Sequence, residues 1–386
     1  MNTESKLPIM VLVQQHLAGN LIQEQGNCVF SYTDTAVANH FVSLTMPVRS
    51  RDYVHTQLHP IFEMHLPEGY LLALLKRHFG KLTSTDDFGL LQLMAKGIRG
   101  RLHYSDTAGG ESSLTLDDLL YPADNALFDE LVQRFALQSA VSGVQPKVLA
   151  EVFNKVTLQL EHYIVKAWGP EYPQLALNEY WCMKVLQQAG VPVPDFFLSN
   201  DSALFIMKRF DITDSGDYLG FEDMGVLQAR SREQKYEGSY EKMVKTINSF
   251  VSAKNRTIAM HHFFKMMILN QGLQNGDAHL KNFGVLYSDK NNIWLAPAYD
   301  VVSTTAYIQH DSAALTLMGS RKWWPRKHLI EFGVQSCGLS VKQANELYDE
   351  CDTAKSIVAE EIKQRLTEKI KPEQHDILEH LLSLLV

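Results

Sequence analysis

The chain is 386 residues long, 45% hydrophobic and 21% charged, and carries a net charge of −8 at neutral pH. This length exceeds what one compact core usually holds and predicts two or three sub-domains, while the composition excludes a disordered or low-complexity protein. The acidic balance argues against broad nonspecific contact with nucleic-acid phosphates, so any association with DNA is expected to run through a partner.

Taken in chain order, three β-like runs at 9–13, 20–22 and 28–32, with Gly19 and Gly26-Asn27 as turns, predict a small antiparallel sheet. A helical stretch at 61–66 is broken by Pro67-Glu68-Gly69 and resumes at 70–76. The polar stretch 104–113 is the linker candidate. Ser142-Gly143-Val144 precedes a Val-Leu-Ala strand at 148–150 and can offer backbone N–H groups to phosphate oxygens, since small residues let the main chain come close. It lacks GxGxxG, and an ordinary hairpin turn is the competing reading. Lys147 reads as structural or solvent-facing. Lys166 closes the strand-like run 162–166, a position from which a lysine can reach the α and β phosphates of a nucleotide. Glu179, on a predicted helix over 175–189, is either its ion-pair partner or a solvated helix charge. An apolar strand with a charged end is expected at 204–211, and Glu222 and Asp223 could start a helix as N-terminal acidic residues. Segment 231–240, which holds Arg232, Lys235 and Tyr236, is polar and reads as a mobile loop.

The segment 275–284, Asn-Gly-Asp-Ala-His-Leu-Lys-Asn-Phe-Gly, carries the most chemistry, followed eighteen residues after Asn282 by Asp300. A carboxylate, a carboxamide five positions on and a second carboxylate after a strand-like interval match a magnesium-dependent phosphoryl-transfer site. In such a site one Asp takes the proton of the acceptor hydroxyl, the Asn holds magnesium and the later Asp bridges metal to phosphates. Asp277, Asn282 and Asp300 fit those three roles. Asn-Gly-Asp is also good turn chemistry by itself. The setting favours the site: apolar residues at 263–269 and 283–287, a turn at 289–292 and a second apolar run at 293–300 predict a hairpin that brings Asp300 back near Asn282. Lys281 could neutralise the transferring phosphoryl group. His279 beside it reads as a packed or hydrogen-bonding residue of the nucleotide-binding group.

Beyond this, 340–348, 352–366 and 375–385 have helical periodicity. The basic-aromatic cluster at 321–327 reads as a loop anchor in which Trp323 and Trp324 pack, with a nucleic-acid or partner contact as the other reading. Cys28, Cys182, Cys337 and Cys351 lie far apart without a CxxC pair, which suggests neither a zinc site nor a disulfide framework. The N-terminus has no basic-then-apolar leader and no run approaches the ~18 to 20 apolar residues of a membrane span, so a soluble, cytoplasmic protein is expected.

Three segments together, Ser-Gly-Val-Gln-Pro-Lys at 142–147, the stretch 275–284 and Ala-Pro-Ala-Tyr-Asp at 296–300, resemble the signature blocks of HipA-type serine/threonine kinases, the toxins of bacterial toxin-antitoxin pairs. The resemblance implies an α+β, protein-kinase-like two-lobe fold with a β-rich N-terminal lobe, an added small N-terminal sub-domain and an all-helical C-terminal lobe. The implied divisions are 1–112 for the sub-domain, 113–225 for the lobe with the phosphate-binding loop, and 226–386 for the lobe with the catalytic and metal-binding motifs. ATP and Mg2+ are the implied cofactors. By the same resemblance, the Leu-Pro-Glu-Gly break belongs to the sub-domain, and 221–224 crosses between lobes, where the Glu222 and Asp223 backbone would meet adenine. Segment 231–240 would help position substrate. The implied partners are a protein substrate such as an aminoacyl-tRNA synthetase, a small helix-turn-helix antitoxin, and DNA only through that antitoxin. One departure stands out: the serine that the family autophosphorylates in its phosphate-binding loop falls at Ala140. Ser142, directly before Gly143, is then the candidate autophosphorylation site, with Ser139 just outside. The other classes that fit are a catalytically degenerate kinase fold acting as a binding module in a repressor complex, and a small-molecule kinase of the aminoglycoside or choline type.

Overall fold

The computed structural model describes residues 7–66, 86–95, 98–104, 120, 147–154 and 159–386, with backbone only at 93, 147–154, 159 and 160. Ser142, Gly143 and Val144, with Ser139, Ala140, the Pro67 break, the resumed helix at 70–76 and the linker at 105–113, lie outside these residues. The described elements divide between two compact units, the first reaching to Lys166 and adding Arg209–Glu233 and Leu286–Lys290, the second made of Ala167–Lys208, Gln234–Val285 and Asn291–Val386.

In chain order the first unit begins with β1 (Ile9–Val13), β2 (His16–Glu24), β3 (Asn27–Tyr32), β4 (Tyr53–His55), the short α1 (Pro60–Glu63), α2 (Asp87–Met94) and β5 (Leu102–His103). The strands form one sheet in the order β4-β3-β2-β1-β5, with every neighbouring pair antiparallel. Alternation explains it: Ile9, Val11 and Val13 point into a core with Leu21, Phe30, Phe62, Leu91 and Tyr104, while Met10 between them is exposed. Gln25 and Gly26 both have positive φ, the signature of a two-residue hairpin turn whose twist suits the flanking strands.

Gly19, expected in a turn, instead lies inside β2, opposite Tyr32. A Cβ there would overlap the Ser31 carbonyl and come within 2.6 Å of Phe30 Cζ, so the glycine makes room for the Phe30 ring. Gly19→Ala is therefore expected to cost about 1–3 kcal/mol of stability, read as faster hydrogen exchange across β2 and β3. Unchanged protection would show that the ring moves aside freely. Tyr104, taken as the start of a linker, is a core residue whose hydroxyl sits 2.7 Å from His65 Nδ1.

The chain continues through the antiparallel pair β6 (Lys147–Asn154) and β7 (Gln159–Lys166). Next come α3 (Leu175–Gln188), β8 (Phe196–Leu198), β9 (Phe205–Lys208), β10 (Gly220–Asp223) and α4 (Met224–Leu227), and then α5 (Tyr240–Phe250) and α6 (Ala253–Gly272). β11 (Gly284–Asp289) and β12 (Asn292–Leu295) follow, before α7 (Arg326–Gln335), α8 (Val341–Leu366) and α9 (Pro372–Leu385). The predicted strand at 162–166 and helix at 175–189 are present as β7 and α3, whereas the strand expected over 204–211 is shorter. The two helices expected at 340–348 and 352–366 are one continuous α8, capped by Ser340 and Gln343. Its apolar face runs through Leu347, Cys351, Ala354 and Val358 without a break, because Asp349, Glu350 and Asp352 occupy the other faces. All four cysteines are buried free thiols, and among the described residues no helix is long and apolar enough to cross a membrane.

Candidate active site

Within the second unit, α6 delivers the loop that holds Asp277. Phe263, Phe264, Met267 and Leu269 are fully buried along the helix, and Asn270 closes its last turn. The chain then turns at Gln274, which has positive φ, one residue before the Asn-Gly-Asp string. Asn275 has a different task. Its Nδ2 donates to Asn270 Oδ1 at 2.7 Å, and its own Oδ1 accepts the Asp277 N–H at 3.0 Å, so a buried side chain brackets the loop from helix to aspartate. Gly276 is required for close approach: a Cβ there would overlap the Asp311 carboxylate and lie 2.7 Å from Thr304 Oγ1. Thr304 completes the bracket, accepting the Gly276 N–H at 2.8 Å while donating to Asp311 Oδ2 at 2.5 Å.

The bracket leaves the Asp277 carboxylate 43% exposed. Tyr236 donates its hydroxyl to Asp277 Oδ1 at 2.6 Å. His279, buried, packs edge-to-face on the Tyr236 ring with centroids 5.1 Å apart, and its Nε2 lies 3.8 Å from Asp277 Oδ1. The polar stretch around Tyr236 is thus tied to the aspartate at Tyr236 and contains a short 3-10 turn at Arg232–Gln234.

Past Asp277, the buried Leu280 and Phe283 pin a single 3-10 turn that carries Lys281, partly exposed, and Asn282. The hairpin then closes as the sequence predicts: the Ala296 N–H donates to the Gly284 carbonyl at 2.9 Å, the Tyr299 hydroxyl to the Lys281 carbonyl at 2.7 Å, and Asn282 Nδ2 to the Asp300 carbonyl at 3.2 Å. Asp300 itself adopts the left-handed region, φ +59°, which costs a non-glycine residue strain of the kind concentrated at functional sites.

The last hydrogen bond decides how Asn282 is oriented. A carbonyl can face only the amide nitrogen, so Oδ1 points the other way, and it is buried with no hydrogen-bond partner among the described residues. A buried acceptor left open is costly unless a ligand satisfies it. No group of three or more His, Cys, Asp or Glu able to hold a metal occurs among the described residues. Magnesium does not need one: it takes one or two carboxylates plus water and phosphate oxygens. An amide oxygen next to Asp300 fits that donor set.

The other predicted binding residues stand as follows. Lys166 ends β7 in the first unit and is 2% exposed. Glu179 is fully buried on α3 in the second. Asp223 caps α4, accepting the Val226 N–H at 2.9 Å, whereas Glu222 lies one residue earlier in β10. Its carboxylate is fully buried and accepts hydrogen bonds from Ser43 Oγ (2.8 Å), the Leu44 N–H (2.7 Å) and the Tyr287 hydroxyl (2.8 Å). Burial pushes its pKa up to about 7 against the pull of those donors. The side chain thus stitches β10 to the segment at 43–44 and to Tyr287. Trp323 and Trp324 are anchored as expected, Nε1 of the first to the Asp311 carbonyl and the N–H of the second to Gln271 Oε1.

Taken together, antiparallel sheets and helices of a mixed α/β fold hold a carboxylate, a carboxamide and a second carboxylate on one loop and hairpin. Residues 9–105 match the model of the HipA N-terminal domain and residues 139–358 that of the HipA-like C-terminal domain. The chain belongs to the HipA family. A Sinorhizobium fredii protein provisionally named a kinase, Y4dM, is 27% identical over 287 residues, 68% of this chain and 66% of its own length. A Haemophilus influenzae protein named in the same way is 30% identical over 186 residues, 44% of this chain and 53% of its own length. The chain therefore spans between about half and two thirds of these relatives. The fold is similar to that in a complex of Shewanella oneidensis HipA, HipB and operator DNA, with a TM-score of 0.73 at 18% identity, covering 98% of this chain and 95% of the other.

Proposed function

We propose that this chain is an ATP-dependent protein serine/threonine kinase that uses magnesium, and the toxin of a toxin-antitoxin pair. The observation that carries the reading is the open, buried Oδ1 of Asn282, held in place by the backbone of Asp300. Asn282 and Asp300 would hold the ion, which when bound supplies positive charge to the phosphates. Asp277 accepts the proton of the acceptor hydroxyl, and its exposure suits an incoming substrate. Lys281 neutralises charge on the transferred group, while Lys166 clamps the α and β phosphates. The backbone of Ser142-Gly143-Val144 cradles phosphate oxygens, and the Glu222-Asp223 main chain faces adenine. His279 supports the site by packing on Tyr236. Ser142 is the candidate autophosphorylation site in place of Ala140.

The partners proposed are a protein of the translation machinery such as an aminoacyl-tRNA synthetase, and a small helix-turn-helix antitoxin through which alone DNA is met. Membership of the HipA family supports a kinase, and the likeness to a HipA bound with HipB supports an antitoxin. Asn282→Ala is expected to raise the Mg2+ concentration needed for half-maximal ATP binding about tenfold or more, measured by calorimetry at fixed ATP. An unchanged magnesium requirement would remove Asn282 from the site. Label from ATP that ends on a small molecule instead of a protein would favour the metabolite-kinase reading.

A further inference from the structure

Asp277 is not met by solvent alone. The hydroxyl that a general base of this kind should receive is supplied by the chain itself, from Tyr236, 2.6 Å from Oδ1. That separation is the one a short charge-assisted O–H···O⁻ bond has, and it lies within the reach at which a base abstracts a proton. The phenol is presented by backbone held on both sides. The Lys235 carbonyl accepts the Leu280 N–H at 3.0 Å, tying the segment to the catalytic loop, and the Tyr236 carbonyl accepts from Arg321 Nη2 at 2.7 Å. The His279 ring meets the aromatic face, so the direction of the hydroxyl is set by packing as well. The residue is still 36% exposed, open to a reactant arriving from solvent.

We propose that Tyr236 is a phosphoacceptor of this chain's own site, and hence that the site takes a phenol as well as an aliphatic hydroxyl. The inference rests on the kinase reading given above. In the step, Tyr236 Oη attacks the γ-phosphorus of a nucleoside triphosphate and passes its proton to Asp277. The new bond is Oη–P. The bond that breaks joins the γ-phosphorus to its bridging oxygen, and the nucleoside diphosphate leaves with that electron pair. The product is a phosphate ester beside the Asp277 carboxylate, a repulsive pair, with Lys235 Nζ 5.3 Å from the ring centroid and the Arg321 guanidinium bonded to the same residue's carbonyl as the nearby cations able to receive it. Phosphorylation would therefore move the segment off the base.

The experiment incubates the full chain with Mg-ATP and follows two signals in parallel, ADP release and the mass of the peptide containing residue 236. Phosphotyrosine at 236 is expected, forming at a rate constant independent of protein concentration, and absent from Asp277→Asn. ADP release or phosphate elsewhere with Tyr236 unmodified overturns the proposal and leaves the kinase reading standing. A rate constant that rises in proportion to protein concentration also overturns it, since the geometry requires transfer within one chain. Neither ADP nor phosphate on any residue overturns both. A measurement without nucleotide tests the geometry alone: acetylation of Tyr236 by N-acetylimidazole is expected to be several-fold faster in Asp277→Ala than in the parent, and equal rates would refute the hydrogen bond on which the step depends.

Discussion

Replacing Asp277 by Asn is expected to reduce phosphoryl transfer from labelled ATP by a factor on the order of 10² to 10⁴, the usual worth of a positioned general base. The substitution is nearly isosteric, and the loop is anchored through the Asp277 N–H on Asn275 and through Gly276 on Thr304, contacts that an Asn at 277 keeps. Thermal stability and Mg-ATP binding should therefore stay at the parent's values. An amide can still accept the Tyr236 hydrogen bond, but it cannot carry the proton away. Transfer that survives the change would return Asp277 to the role of a turn residue. A parent protein that binds ATP yet transfers nothing would instead point to a binding module.

The second large effect belongs to Glu222, whose carboxylate is fully buried in the first unit. Glu222→Ala leaves Ser43 Oγ, the Leu44 N–H and the Tyr287 hydroxyl without their common acceptor, and opens a cavity. A loss of about 3 kcal/mol or more is expected in the first unit, since buried unsatisfied groups cost about 1–3 kcal/mol each. Glu222→Gln should behave differently, because an amide imitates the protonated acid. The sign follows from the raised pKa of about 7 against an ordinary 4.5. The native carboxyl binds its proton more tightly than the unfolded one. This contribution to stability is therefore complete below about pH 4.5 and is lost as pH rises through about 7, an amplitude on the order of 3 kcal/mol. His59 pulls the other way: burial lowers its pKa to about 3, so its contribution is present above pH 6.5 and is lost as pH falls toward 3. The difference between parent and Glu222→Gln isolates the carboxyl. Hydrogen-exchange protection over residues 41–46 and 220–226, compared at pH 5 and pH 8, should fall with pH in the parent and less so in the amide variant. Parallel pH dependence in the two would rule out Glu222 as the titrating group.

What could be read in advance shares one property, short range. Asn282 lies five positions from Asp277 and eighteen from Asp300, and the interval from Asn282 to Asp300 is a hairpin whose strands and turn announce themselves as two apolar runs around the polar Asp289, Asn291 and Asn292. Once a hairpin is recognised, its ends must meet, and the Asn282 bond to the Asp300 carbonyl is the outcome. The same holds for β1 and β3, for the strand ending in Lys166 and for α3. Gly19 was misplaced because a glycine in sequence looks alike whether it frees a turn or makes space for a ring. Here the ring belongs to Phe30 on the neighbouring strand.

Amino-acid order alone was enough to specify the family, the spacing of the two acids and the amide, and the hairpin that returns Asp300 to Asn282, because backbone geometry converts short separations into fixed positions. Tertiary structure alone decided what those groups touch. Tyr236 reaches Asp277 across 41 residues, and Ser43 reaches Glu222 across 179. No periodicity or turn rule spans such intervals. Which hydroxyl meets which carboxylate is settled only when packed elements bring distant segments together and burial obliges each polar group to find a partner.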